Sequence, residues 1–83
     1  MKHEEVCKQL RTIYEKKNQD YGNSFGESIK EWGIIAAIVR MDDKMRRLKS
    51  LVQQPALIKS ESMKDTLMDF ANYCIMSIME VEQ

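Results

Sequence analysis

The stretch KDTLMDFANYCIM, residues 64–76, decides how this chain folds. At the helical rotation of about 100° per residue, Leu67, Ala71, Cys74 and Ile75 share one broad face, which Ile78 extends. Asp65, Asp69, Asn72 and Met76 fall nearly opposite, with Tyr73 beside them. Strand-like alternation does not fit these residues. The stretch reads as the middle of an amphipathic helix running from about Ser62 to Glu82. Ser60 or Ser62 is placed to cap it, and Ser62 with Asp65 has capping-box spacing.

Working outward, QQPALIKSES (53–62) reads as a connector, with Pro55 as a stop signal. Before it a second helix is expected from about Glu27 to Val52. Ile34, Ile38, Met41, Met45, Leu48 and Val52 form its apolar face at spacings of three and four. Gly33 leaves a kink, a close helix contact or a break open there. NQDYGNSFG (18–26) is turn chemistry, rich in Asn, Gly and Asp. Residues 3–18 read as a first helix, with Val6, Leu10, Ile13 and Tyr14 at the helical period. The expectation is an all-α, three-helix subunit in one domain, 1–83, with no repeat and no low-complexity segment.

A chain of 83 residues buries little of its surface when alone. Its two cysteines, Cys7 and Cys74, sit among apolar residues and read as buried free thiols, in keeping with a reducing cytosol. With no staple available, oligomerisation into a helical bundle is expected to complete the core. Seven methionines suit such a plastic interface. Thirteen basic and thirteen acidic residues cancel, which argues against bulk DNA or RNA binding but leaves room for a small phosphorylated ligand. No apolar run approaches the roughly 18 residues of a membrane span. The charged opening MKHEEVCKQL does not read as a signal peptide, so a cytoplasmic location is expected.

Three constellations carry possible chemistry. Glu61, Asp65 and Asp69 form an acidic stripe whose spacing of four lets the carboxylates share a divalent cation such as magnesium. On spacing alone a solvated helix face is the commoner use. In RMDDKMRRLKSL (40–51), Arg40, Lys44 and Arg47 border the apolar face, and Asp43 is spaced to pair with Arg47. These cations suit a phosphate, a solvated face, or pairing with the acidic stripe. In and beside KNQDYGNSF (17–25), Tyr21, Phe25 and Trp32 can stack a base or plug the end of a bundle, with Lys17 and Asp20 flanking. His3, the only histidine, lies in a fraying terminus, and no Ser or Cys has a base partner, so no catalytic residue is assigned.

Taken in order, KNQDYGNSF, RMDDKMRRLKSL and ESMKDTLMDFANYCIM resemble the nucleotide modification associated domain of the first type, over residues 14–80. That family is similar to the MazG-like all-α nucleotide pyrophosphohydrolases, oligomers that hold magnesium against nucleotide phosphates with acids from two helices. Tyr21 and Gly22 match the loop block; Arg40, Asp43, Lys44 and Arg47 match the basic block; Glu61, Asp65, Asp69, Asn72 and Tyr73 match the acidic block. The MazG-like pattern wants ExxD and an earlier ExxE. Here Glu61, Asp65 and Asp69 are four apart, as are Glu27 and Glu31.

The resemblance implies a nucleotide ligand, linear or cyclic. Arg40, Lys44 and Arg47 would hold its phosphates with Asp43 beside them, Lys17 would reach its polar edge, Tyr21, Trp32 or Tyr73 would stack its base, and Asp65 and Asp69, next to Asn72, would accept hydrogen bonds from ribose hydroxyls or base amines. A phage-encoded sponge for an immune nucleotide signal, acting in the cytoplasm of the host bacterium, is the leading expectation. A magnesium-dependent nucleoside triphosphate pyrophosphohydrolase is the alternative, with Glu61, Asp65 and Asp69 as metal ligands. A helical oligomerisation module is the third.

Overall fold

The computed structural model describes residues 1–82, and the side chains of all of these except residues 57–59. Among the described residues there are four helices and no strand: α1 (His3–Tyr21), α2 (Ser24–Trp32), α3 (Ile35–Leu51) and α4 (Ala56–Val81). The all-α expectation stands, but with four helices rather than three.

The extra helix comes from Gly33. Its φ of 84° lies in the left-handed region that side-chain-bearing residues avoid, and its N–H closes α2 on the Ile29 carbonyl at 2.7 Å. Of the three readings open at Gly33, the break is the correct one. Gly22 ends α1 in the same way, with φ 67° and an N–H to the Asn18 carbonyl at 2.8 Å. Asn23 then caps α2, its side chain accepting from the Gly26 N–H at 3.3 Å. The turn chemistry of residues 18–26 is thus compressed into two residues, Gly22 and Asn23, between α1 and α2.

At the other connector Pro55 starts a helix instead of stopping one. It sits at the N-cap of α4 with φ −55° and ψ 145°, where its missing N–H costs no helical hydrogen bond. Ser60 and Ser62 therefore lie inside α4 rather than at its N-cap; the Ser62 carbonyl accepts from the Thr66 hydroxyl at 2.7 Å. With 26 residues α4 is about 39 Å long, close to the 40 Å maximum extent of the molecule.

α3 and α4 pack most extensively, α2 lies against both, and α1 rests mainly on α4. Among the described residues the buried apolar side chains are Leu10, Phe25, Ala37, Leu51 and Met68. Three polar residues join them, each bonded: Thr66 as above, Ser77 to the Tyr73 carbonyl at 2.7 Å, and Asn72 to the Leu10 carbonyl of α1 at 3.1 Å.

The apolar rows on and beside α3 and α4 lie on the outside of the subunit. Exposure runs from 41% at Met45 to 57% at Val52 across Ile34, Ile38, Met45, Val52, Leu67, Ile75 and Ile78. The apolar stripe of α4 points outward, while Asp69, Asn72 and Tyr73 point in. Cys7 and Cys74 are free thiols as expected, but exposed rather than buried.

Candidate functional site

The inward polar stripe of α4 meets cations from two other helices. Lys17 of α1 donates to Asp69 Oδ1 at 2.8 Å, and Lys44 of α3 donates to Oδ2 at 3.2 Å. One carboxylate therefore ties α1, α3 and α4 together. Burial pushes the Asp69 carboxyl up, but the hydrogen bonds from Lys17 and Lys44 outweigh it and hold the group below the usual carboxylate range. The same hydrogen bond raises the Lys17 ammonium above its ordinary value, against partial burial.

Beside this triad lies an aromatic pair. Phe25 of α2 stacks on Tyr73 of α4, ring centres 5.1 Å apart and planes 15° from parallel. The Arg40 guanidinium lies 5.4 Å from the Phe25 ring centre and Lys44 Nζ lies 5.8 Å from that of Tyr73. Arg40 donates to the Ser28 hydroxyl at 3.2 Å. Among the described residues no carboxylate lies within 4.0 Å of Arg40. It is half-buried, with the Phe25 ring rather than a carboxylate beside its charge.

These groups border one cleft between the ends of α1 and α2 and the flanks of α3 and α4. Lys17, Tyr21, Arg40, Asp69, Asn72 and Tyr73 line it, so six of the residues expected at a ligand site come together. Lys44 reaches it through Asp69. Trp32, Asp43, Arg47 and Asp65 do not line it and are exposed. The expected Asp43–Arg47 pair does not form within 4.0 Å; the i, i+4 pair of this helix is one position earlier, Asp42 with Arg46 at 2.8 Å.

Phe25, Asn23, Tyr14 and Met76 also line the cleft. Phe25 and Met76 carried a signal: one belongs to the aromatic loop, the other breaks the polar stripe. Ser28 carried none, since its partner Arg40 is twelve positions away across the Gly33 break.

The cavity measures about 140 Å³, below the roughly 300 Å³ that begins the range for sites enclosing a whole drug-sized ligand. It has room for one moiety of a nucleotide, a base or a phosphate. Glu61 and Asp65 are exposed on α4, and Glu27 pairs with Lys30 at 3.8 Å. Among the described residues no group of three His, Cys, Asp or Glu could hold a metal ion. No described helix is long and apolar enough to cross a membrane.

A family model, nucleotide modification associated domain 1, matches residues 17–81. The chain belongs to that family. The match covers α2, α3, all of α4, and the last turn of α1 with Lys17, so every charged residue of the cleft lies within the nucleotide modification associated domain. Neither the curated proteins nor the solved structures compared with the chain contain a significant match.

Proposed function

We propose that this member of the nucleotide modification associated domain 1 family binds a nucleotide without turning it over, and so sequesters it. The observation that carries the reading is Arg40: a half-buried guanidinium with no carboxylate partner, facing a cleft walled by Tyr73 and Phe25. A guanidinium presents a planar fork of donors to a phosphate, and a charge held away from bulk water strengthens that bond. Asn72 and Tyr73 offer polar edges to a base or ribose.

The carboxylates favour binding over hydrolysis. Asp69 is already answered by two ammonium groups, and Glu61 and Asp65 lie away from the cleft in solvent. Among the described residues this donor set does not assemble for magnesium within the subunit. Kinship with the MazG-like enzymes and a phage-encoded, cytoplasmic role as a sponge for an immune signal extend the same reading. What supports them is the cleft that sets Lys17 and Arg40 beside the Phe25–Tyr73 stack.

Calorimetry with a panel of linear and cyclic nucleotides, with and without magnesium, tests it. A micromolar ligand is expected. Arg40→Ala should weaken it at least tenfold, about 1.4 kcal/mol, while the protein stays helical. No binding by any nucleotide up to millimolar concentration would overturn the proposal. Release of pyrophosphate would move the assignment to hydrolysis.

A further inference from the structure

The outward apolar stripes of α3 and α4 form one surface. Ile34, Ile38, Met41 and Met45 recur along α3, and Leu67, Cys74 and Ile78 along α4. Cys74 Sγ lies 3.6 Å from Met41 Sδ, which joins the two rows at their middle. Neither row contains a charged residue. The surface belongs to the flank of α4 opposite Asp69 and Asn72, so it and the cleft face different ways.

The subunit as a whole exposes more area than a compact chain of its mass. A compact monomer of 9.8 kDa exposes about 5,200 Å². This subunit exposes 6323 Å², roughly 1,100 Å² more. One partner in a standard stable interface contributes about 800 Å². The radius of gyration, 13.7 Å, likewise exceeds the roughly 11.8 Å of a compact chain of this length. The excess is of the size that one interface removes.

We infer that a second copy of this chain covers the α3–α4 apolar surface, pairing two helices from each subunit into a four-helix interface and leaving one Lys17–Arg40–Asp69 cleft open on each outer side. A second copy is the occupant because the rows are uncharged and equivalent between copies. An uncharged ridge can repeat itself across a two-fold axis without like charges meeting. Its methionines adapt to such self-packing.

Two measurements on the full chain test this, and neither depends on nucleotide binding. Light scattering behind size exclusion should return twice the 9.8 kDa subunit mass at tens of micromolar. Ile38→Glu and Ile78→Glu should each return the single mass with helical circular dichroism retained, and Gln9→Glu on exposed α1 should not. The second measurement needs no variant. Cys7 lies outside the proposed interface and Cys74 within it, so the wild-type protein should alkylate at Cys74 at least tenfold more slowly than at Cys7, with the two alike in urea. A single subunit mass for the wild type overturns the inference. So does a doubled mass in which Cys74 reacts as fast as Cys7, which would put the interface elsewhere. If the glutamate variants fail to fold, the wild-type mass and thiol rates decide.

Discussion

At the residue scale Asp69 governs the site's electrostatics. Its folded pKa is depressed by Lys17 and Lys44, so its contribution to stability is complete above the unfolded value of about 3.9 and fades as pH falls through the lower, folded value. Thermal melts should be flat in this respect from pH 7 to 5 and decline below about pH 4. Asp69→Asn should lose that part of the acid dependence. Lys17 has the opposite sign: its raised pKa gives stability present below about 10.4, lost as the solution is made more alkaline than the folded value. Asp69→Ala removes a two-handed acceptor from a partly buried place. The expected loss is about 1–2 kcal/mol, a fall in Tm of roughly 5–15 °C at this chain length. An unchanged melt would show the triad to be decorative. The sequence supplied Asp69, Lys17 and Lys44 as candidates, but spacing alone equally described a metal stripe or a solvated face. Only the approach of α1 and α3 to the same carboxylate, across 52 and 25 positions, separates these uses.

At the element scale the two positive-φ glycines set the boundaries of α2. Nothing lies within 4 Å of the place a Cβ would occupy at Gly33, so Gly33→Ala tests conformation alone. About 1–2 kcal/mol of destabilisation is expected, read by denaturant melts, with the strain relieved in an Asn variant that tolerates the left-handed region better. Helical periodicity made α1, α3 and the middle of α4 legible, because each carries apolar residues at three and four. It did not separate α2 from α3, since Ile34 to Val52 keep one period and a glycine is compatible with continuation. Nor did it place Pro55, whose fixed φ suits a first turn as well as it ends a helix. Periodicity marks the apolar rows at Ile38 and Ile78 but not the direction they face. They face outward because Leu10, Phe25, Ala37, Leu51 and Met68 already fill the small interior.

At the scale of the whole molecule, a subunit with five buried apolar side chains among its described residues depends on whatever covers its surface. If a second copy does so, Tm should climb with protein concentration, since association stabilises the folded form by mass action. A Tm independent of concentration over a hundredfold range would speak against pairing. The manner in which α1 is attached has a consequence for assembly of the fold. α3 and α4 are joined by residues 52–55 and make the most extensive contact, so they can meet early at little loop-closure cost. α1 reaches α4 over long chain separations, through Leu10 under Asn72 and Lys17 on Asp69. It should dock last and fray first. Amide exchange should therefore be faster in α1 than in α4, and faster still in Asn72→Ala. Because α1 supplies one wall of the cleft, an α1 that docks last would complete the cleft last, and a ligand held there would also hold α1 in place.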